Sequence, residues 1–451
     1  MRRISSFLTE VNEPAPPSTP ADYARWFRGS TPYVSAHQGK TFVVALSGET
    51  LASENCINVI HDLALVSVLG VRLVLVHGAR PQISEALEKA GIESPVINGA
   101  RVTPLKALDE ARRVCAGLRS QIEGLFSQGL PHTPLHNTRI SVLGGNFVTA
   151  RPMGRVDGVN FEHTGVPRRI NTELIYELAG PGRIVLLSPF GYSPWGALYN
   201  LESEPLAVKT AEALAADKLI LFTEEDVLYD ADGERLAEVE ASGIEAVLER
   251  IDCGDVTRRS LRRAAETGAA TGIPVHLIGA NVDGALLQEL FTADGQGTHV
   301  RESLGNRVRA AEASDIAAIL AMIAPLVQQG QLKARSADEI TERLDEFLVT
   351  EVDGLIAGCC GVRQLEASDS AELHCLATHP NFAQSSAGDA LLQAALAKAR
   401  QLGAKQVLAL TTQAEQWFRE RGFAAAKSAG LPREIEEQCE RRNSIALVKR
   451  L

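Results

Sequence analysis

The 451-residue sequence lacks the features that mark membrane and exported proteins. It has no run of about 18 apolar residues, the length that a helix needs to cross a bilayer. Its first 21 residues carry two arginines but no continuous apolar stretch, and they soon become Pro-rich. They are typical of a flexible leader rather than a secretory signal. We expect a cytoplasmic protein that does not enter a membrane.

Cysteine and basic residues are also scarce. The seven cysteines include no CxxC pair, and the adjacent Cys359 and Cys360 lie in an apolar, strand-like run. This pattern favours free thiols in a reducing compartment and argues against a disulfide framework or a metal site. Lys and Arg number 45 against 56 Asp and Glu, a net charge of -11, so the composition gives no reason to expect nucleic-acid binding.

Apolar strands alternate with helical segments between residues 22 and 298. The strand-like runs are VRLVLVHG, RISVLGGNFVTA, RIVLLSP, KLILFT and PVHLIG. Such alternation is typical of an α/β domain with a largely parallel sheet and helices on both faces. The sequence therefore predicts one large α/β domain over residues 22–298.

A second pattern follows a short polar stretch, residues 299–306, which we interpret as a linker. A helix is predicted over 311–329 and another from Ala337, followed by the strands EFLVTEVDG, LIAGCCGVRQL and AELHCLATHP. Hairpin-like strands beside helices are typical of an α+β domain. Residues 307–451 form this second predicted domain.

The stretch TFVVALSGETL at 41–51 has the form of a buried strand that ends in a tight turn before a helix. VHGARPQI at 76–83 has the same form, and such turns direct backbone N–H groups at anions. A site that transfers phosphate also needs a fixed cation, and no lysine stands on the first strand.

These stretches occur in order with NGARVTP, LYNLESEPLAVKTAEALAADKLILFTEEDVL and DGALLQELFTADGQGT. Together they resemble the amino acid kinase family. The family carries a lysine where this chain has Ala45, a glycine where it has Ser47, and a glycine run where it has Ala79 and Arg80. Without the lysine and the close backbone approach that glycines allow, phosphoryl transfer is disfavoured.

The resemblance implies a regulatory role for this domain. In related proteins it acts as an arginine-binding feedback module. The matching effector positions here are Tyr23, Lys209, His276, Glu289 and Gly295. A carboxylate such as Glu289 can pair with a guanidinium through two hydrogen bonds, while carbonyls near Gly295 accept the other donors.

The second domain resembles the GCN5-related acetyltransferase family. The resemblance covers LHCLATHPNFAQSSAGDALLQAALAKARQLGAKQVLALTT and the closing WFRERGF. It implies acetyl-CoA as co-substrate and no metal. The loop before the helix departs from the family pattern, because Ala383 replaces its Arg or Gln and Ser386 its first glycine. The implied cofactor-binding residues are Cys375, Leu376, Ala377, Gln384, Ser385, Ser386, Ala387, Gly388 and Phe418.

The resemblance also implies roles for residues around the acyl acceptor. Glu372 is expected to remove a proton from the incoming amine, and Arg335, Arg442 and Ser444 to bind substrate carboxylates, the last two from the final strand. The amine should attack directly, because no histidine or second base is spaced to activate Cys375. The proton donor for the leaving thiolate is unassigned, since Phe418 stands where many relatives keep a tyrosine.

Over nearly the whole chain, the arrangement resembles the bacterial N-acetylglutamate synthases. It implies transfer of acetyl from acetyl-CoA to L-glutamate in the first step of arginine biosynthesis, with L-arginine as effector. A homo-oligomer, a hexamer by resemblance, is also implied. Two alternatives remain: an acetylglutamate kinase, which Ala45, Ala79 and Arg80 oppose, and a catalytically impaired arginine sensor or assembly partner, which the altered loop favours.

Overall fold

The chain forms two compact units, residues 1–302 and 303–451. The computed structural model describes the backbone of residues 20–128, 139–230, 233–292, 295–302, 307–352, 355–365, 368–379, 387–426, 431–442 and 444–451. Within these ranges, side chains 20–27, 29, 307, 440 and 442 are excepted. In the described part of the chain, no helix is long and apolar enough to cross a membrane.

The first unit is a large α/β unit. Its helices are α1 Pro20–His37, α2 Gly48–Ala52, α3 Cys56–Val68, α4 Arg80–Lys89, α5 Leu105–Phe126, α6 Thr172–Leu178, α7 Ser203–Ala213, α8 Ile244–Leu248, α9 Asp255–Thr271 and α10 Ala285–Phe291. Its strands are β1 Thr41–Leu46, β2 Arg72–His77, β3 Val96–Ile97, β4 Ala100–Arg101, β5 Ser141–Gly144, β6 Val148–Pro152, β7 Arg155–Val156, β8 Val159–Asn160, β9 Gly165–Ile170, β10 Arg183–Leu187, β11 Phe190–Tyr192, β12 Leu198–Asn200, β13 Lys218–Thr223, β14 Glu238–Glu240, β15 Val275–Gly279 and β16 Thr298–Arg301.

Eight strands form the main sheet, in the order β14-β16-β15-β13-β1-β2-β10-β5. Every neighbouring pair is parallel except β15 with β16. All six residues of β1 are buried, as its apolar run predicts for a central strand covered on both faces. The predicted parallel-rich sheet is confirmed. The carboxyl ends of β1 and β2 meet at one edge, where α2 and α4 begin.

Two predicted boundaries need correction. Residues 299–301 are not linker, because β16 hydrogen-bonds with β15 and β14 in the main sheet. The polar side chains that suggested a linker include His299, which the sheet buries. The leader was expected to end at residue 21, but α1 already begins at Pro20, and proline is well tolerated in the first turn of a helix.

The second unit is an α+β unit, as predicted. Its helices are α11 Ile316–Gln328, α12 Ala337–Glu342, α13 Ala387–Gln401, α14 Glu415–Glu420 and α15 Arg433–Arg442. Its strands are β17 Arg307–Ala310, β18 Phe347–Val352, β19 Leu355–Gln364, β20 Ser370–Thr378, β21 Gln406–Thr411, β22 Ala424–Ala425 and β23 Ile445–Arg450. Short 3-10 turns span Ala241–Gly243 in the first unit and Ala313–Asp315 and Leu344–Glu346 in the second.

One sheet runs through the second unit, in the order β17-β18-β19-β20-β21-β23-β22. Its strands are antiparallel except for β20 and β21, which pair in parallel from Ser370 with Gln406 to Leu373 with Ala409. Strand β20 continues to Thr378 without β21 as a partner. The two strands therefore part in the middle of the sheet, where a groove opens.

A bulge marks the point where the strands part. Gly361 pairs with His374 and Cys359 with Ala377, so Cys375 and Leu376 lie opposite the single residue Cys360. Cys375 has a φ of 51°, in the left-handed region that non-glycine residues rarely occupy. Bulges bend a strand and redirect its groups. The bulge at Cys375 and Leu376 turns the backbone of β20 towards the groove.

Two predictions in this unit are wrong in detail. The helix expected from residue 311 begins at Ile316, because residues up to Ala310 pair with β18 as an edge strand. The final strand begins at Ile445, so Arg442 is the last residue of α15 rather than a strand residue. The alternating charges of REIEEQCERR form i,i+4 pairs such as Arg441 with Glu437, which support a helix.

Candidate functional sites

A cavity of about 380 Å³ lies at the parting strands of the second unit. This volume suits an organic ligand, since ligand pockets commonly enclose about 300–1,000 Å³. It is lined by β20, the start of α13, the end of β21, and α14. The lining residues are Leu326, Gln331, Leu332, Leu373, His374, Cys375, Leu376, Ala377, Thr378, Gly388, Asp389, Leu410, Thr411, Thr412, Gln413, Ala414, Trp417, Phe418 and Arg421.

Five of the predicted cofactor-binding residues line this cavity: Cys375, Leu376, Ala377, Gly388 and Phe418. Ala387 is the first residue of α13. Gln384, Ser385 and Ser386 lie outside the described residues. The structure thus brings one strand segment, one helix start and one aromatic ring to a single cavity.

The guanidinium of Arg421, to which the family motif gave no role, lies beside the start of α13. Arg421 Nε lies 2.5 Å from Asp389 Oδ1, and its guanidinium carbon lies 4.0 Å from the centre of the Trp417 ring. Both partners line the cavity. The pair fixes the arginine beside the first turn of α13. The sequence shows Arg421 in WFRERGF, but a contact between residues so far apart leaves no local signal.

Glu372 is buried and ion-paired. It is 5% exposed, and its Oε2 lies 2.5 Å from Arg363 Nη2 on the neighbouring strand β19. Arg363 also contacts Glu434 of α15 at 3.2 Å. Among the described residues, Glu372 is not part of the cavity lining, although it precedes the lining residue His374 by two positions on β20. A solvated surface role for Glu372 is therefore excluded, and Arg363 is a partner that sequence reasoning missed.

The Cys375 thiol has polar neighbours that the sequence did not indicate. Its Sγ accepts a hydrogen bond from Arg335 Nε at 3.1 Å. Burial raises the pKa of Cys375, but the effects of His374 and Arg335 together outweigh burial, and the net pKa lies below the usual thiol value. The sequence did not indicate the contact with His374 because neighbouring residues of a regular strand face opposite sides, whereas the strand is irregular at Cys375.

His374 forms a second buried pair, with Glu346. Its Nε2 lies 3.1 Å from Glu346 Oε2, and its ring packs edge-on against Phe347. The ring occupies space that Gly361 leaves free, because a Cβ at that position would lie 1.9 Å from His374 Cε1. Sequence reasoning gave His374 no role.

Two predicted carboxylate-binding residues are described only in part. Ser444 lies between α15 and β23, and its buried Oγ makes no hydrogen bond with any described residue. The side chain of Arg442 lies outside the described atoms. Arg335 is the one predicted clamp whose side chain is placed in the second unit's site, against Cys375.

The first unit has a smaller cavity, about 110 Å³, at the carboxyl edge of its sheet. Its lining includes Ser47, Gly48, Gly78, Ala79 and Arg80, the two turns that the sequence singled out. Ala79 directly precedes α4, and Arg80 begins it. Ala45 is buried within β1 and offers no cation. The edge keeps a strand-turn-helix form while lacking the lysine that phosphoryl transfer requires.

Three of the predicted effector residues meet in the first unit. His276 Nδ1 lies 2.5 Å from Glu289 Oε1, and both side chains are buried. Glu289 Oε2 accepts backbone N–H bonds from Gln296 at 2.9 Å and Gly297 at 2.8 Å. Burial raises the pKa of Glu289, but His276 and these N–H groups lower it further, to about 2. The carboxylate is held ionised next to Gly295.

The other two predicted effector residues are not shown to join this group. Lys209 lies on α7, and its Nζ pairs with Glu212 on the same helix at 2.9 Å. Tyr23 lies in α1, but its side chain is outside the described atoms. Helix α1 does contact α10, the helix of Glu289, through a 2.8 Å hydrogen bond between His37 Nε2 and the Leu290 carbonyl.

The carbonyl of Gly295 is engaged by a guanidinium from the same chain. Arg235 Nη1 donates to it at 2.9 Å. Over the described ranges, no cluster of three or more His, Cys, Asp or Glu side chains is arranged to hold a metal ion.

Comparisons with known proteins agree with this division. The amino acid kinase family model matches residues 40–278, and the acetyltransferase (GNAT) family model matches residues 320–423. An amino-acid acetyltransferase of Azotobacter vinelandii is 41% identical over 412 residues, which cover 91% of this chain and 95% of the relative.

Two solved structures are also similar to the chain. The N-acetylglutamate synthase of Neisseria gonorrhoeae, complexed with coenzyme A and L-arginine, is 32% identical, with 95% of this chain and 99% of that one covered and a TM-score of 0.81. The same enzyme with coenzyme A and N-acetyl-glutamate aligns over the same shares with a TM-score of 0.60. The chain belongs to the amino-acid acetyltransferase family, with an amino acid kinase unit followed by a GNAT unit.

Proposed function

We propose that the chain is an N-acetylglutamate synthase, which transfers the acetyl group of acetyl-CoA to the amino group of L-glutamate. The observation that carries this proposal is the parting of β20 and β21 above a cavity lined by Cys375, Leu376 and Ala377. Backbone groups of a strand that has lost its partner need hydrogen bonds. A thioester carbonyl and its pantetheine chain supply them as an added strand would.

The chemistry follows from the residues on β20. The Glu372 carboxylate accepts a proton from the substrate ammonium, directly or through water, and leaves an amine with a free electron pair. The nitrogen attacks the thioester carbonyl carbon, the C–S bond breaks, and coenzyme A leaves as a thiolate. Arg363 holds the Glu372 side chain in place between the two strands.

The substrate carboxylates need cations or strong donors. Arg335 already lies at Cys375, next to the thioester position, and we assign it one carboxylate of glutamate. Ser444, with a buried hydroxyl that makes no hydrogen bond to described residues, is a donor for the other carboxylate. We assign Arg442, on the same segment of chain, as the charged residue that binds this second carboxylate together with Ser444.

The diphosphate of coenzyme A would bind at the start of α13. Helix N-termini favour anions, and α13 runs for 15 residues from Ala387. We assign the loop residues Gln384, Ser385 and Ser386 to this contact, together with Ala387 and Gly388. Arg421 supplies the cation that the loop lacks, because it stands at the first turn of the helix.

We infer that the first unit senses L-arginine through His276, Glu289 and Gly295, with Lys209 and Tyr23 as further contacts. Arg235 already makes the hydrogen bond to Gly295 that an arginine ligand would make. A buried, ionised carboxylate beside it gives a guanidinium a second partner. We also propose a homo-oligomer, hexameric as in the family that the sequence resembles, and a cytoplasmic location in keeping with seven free cysteines.

The test is acetyl transfer by the purified full-length chain. Coenzyme A release is measured with acetyl-CoA and a panel of amino acids, with and without L-arginine, and the products are identified by mass spectrometry. We expect N-acetyl-L-glutamate to form fastest and L-arginine to change its rate. Equal rates for L-glutamate, L-aspartate and L-glutamine would contradict the proposed substrate.

A further inference from the structure

The leaving thiolate has no assigned proton donor, and the residues that line the cavity narrow the choice. Phe418 lies at the position expected for an acidic tyrosine and carries no proton to give. Asp389 is ion-paired with Arg421, and the threonines, the two glutamines and the tryptophan of the lining carry no group that titrates near pH 7. Of the described lining residues, His374 and Cys375 are left as the groups whose ordinary pKa values lie nearest to neutral pH.

His374 is built to carry a proton. With a proton on Nε2 donated to Glu346, its Nδ1 has an unshared electron pair, which is buried and interacts with the thiol of Cys375. Glu346 would also stabilise the imidazolium that forms when Nδ1 gains a proton. Gly361 keeps the ring in place, since any side chain there would overlap it. The bond to Glu346, the electron pair on Nδ1 and the space above Gly361 therefore all suit His374 to proton transfer.

We propose that His374, oriented by Glu346, moves the second proton of the acetyl transfer. This inference rests on the proposed function. The ammonium of the substrate loses two protons during the reaction. Glu372 takes the first before attack. After attack, the second proton leaves the positively charged nitrogen of the tetrahedral intermediate and reaches His374 Nδ1 through the thiol of Cys375, which lines the cavity and interacts with the ring. The proton returns by the same route to the sulfur of coenzyme A as the C–S bond breaks.

The surroundings of His374 determine how it titrates. Burial lowers the pKa of His374, but interactions with Cys375 and Glu346 outweigh burial, so that the net pKa lies above the usual histidine value. His374 and Glu346 form the pair. The other charged and titratable groups that act on one or both of them are Arg335, Arg343, Arg363, Cys375 and Lys398. The neutral ring is needed to accept a proton, so kcat should fall as the pH drops through this pKa.

The test compares His374→Gln, Glu346→Gln and the wild-type chain by kcat over pH and by NMR of histidine labelled at Cε1, with His374→Gln also serving to assign the His374 signal. We expect His374→Gln to lower kcat by about 100-fold or more, within the usual range for general acid–base groups, and to remove the acidic limb. Glu346→Gln should move the NMR pKa of His374 and the acidic limb of kcat to lower pH together.

The matched control is Glu342→Gln, an exposed glutamate on α12, which should leave kcat and its pH profile unchanged. Retained coenzyme A binding shows that each variant is folded. The proposal is overturned if His374→Gln keeps either the acidic limb or more than half of kcat. It is also overturned if the NMR pKa moves in Glu346→Gln while the kinetic limb does not. Acetylation of L-glutamate by the wild type is scored separately and bears on the proposed function alone.

Discussion

Replacing Gly361 by alanine tests the packing on which the acetyl-transfer site depends. The added Cβ would lie 1.9 Å from Cε1, 2.4 Å from Nδ1 and 2.6 Å from Nε2 of His374. Ordinary contacts begin at about 3.4 Å, so the ring must recede. Phe347 and the bond to Glu346 hold it where it is. The backbone of Gly361 does not have a positive φ, and the constraint is therefore steric.

The magnitude follows from two costs. Overpacking a buried site costs about 1–3 kcal/mol. Loss of a hydrogen bond to a charged group adds about 1.5–3 kcal/mol. A destabilisation of about 2.5–6 kcal/mol in a unit of this size should lower its melting temperature by about 5–24 °C.

Thermal and urea unfolding of the full chain measure this change, followed through a probe in the second unit such as Trp417. The double variant Gly361→Ala with His374→Ala has no clash and loses the hydrogen bond only once, so it should recover about 2.5–6 kcal/mol relative to the sum of the two single changes. Gly403→Ala is not a suitable control because Gly403 has a positive φ, whereas Gly117→Ala meets open space within α5 and should not destabilise, since alanine favours a helix by about 0.5–1 kcal/mol over glycine. If the two single effects add within about 0.5 kcal/mol, the packing argument is wrong.

Three further predictions concern the proposed roles. Glu372→Gln should lower kcat by about 100-fold while coenzyme A still binds, as judged by calorimetry; an unchanged rate would remove Glu372 as the base. Arg335→Met should raise the KM for L-glutamate about 10- to 100-fold, whereas Arg433→Met, at a site 92% exposed, should not, and equal KM values for both variants would refute the clamp. Because the pKa of Glu289 is lowered to about 2, its contribution to stability is present above about pH 4.3 and is lost as the pH falls towards 2. The stability difference between wild type and Glu289→Gln, from urea unfolding, should therefore shrink by about 2 kcal/mol between pH 6 and pH 2.5, and a constant difference would contradict the assignment.

Local patterns in the sequence predicted most of the fold. Continuous apolar runs such as TFVVAL became central parallel strands because burial on both faces demands such runs. The predicted helix that carries Leu391 and Leu396 packs them into the core of the second unit. Boundaries failed where pairing decided the outcome, as at Thr298–Arg301, whose polar residues join a sheet edge.

Family motifs predicted some residues of the second unit's cavity but not the ion pairs around them. Motifs placed Cys375, Leu376, Ala377, Gly388 and Phe418, and these five line one cavity. The ion pairs that surround them link residues that are distant in sequence and leave no local periodicity: Arg363 with Glu372, Arg421 with Asp389 and Glu346 with His374. The bulge that brings His374 and Cys375 together also depends on pairing between strands, and a single sequence does not display pairing.

The most direct test of the account measures both candidate reactions in one preparation of the full chain. Acetyl-CoA with L-glutamate, and ATP with N-acetyl-L-glutamate, are supplied in separate reactions, and coenzyme A and ADP are quantified. The account predicts coenzyme A release with formation of N-acetyl-L-glutamate, and no ADP above the enzyme-free background. ADP formation without coenzyme A release would contradict it, because the chain would then transfer phosphate rather than acetyl.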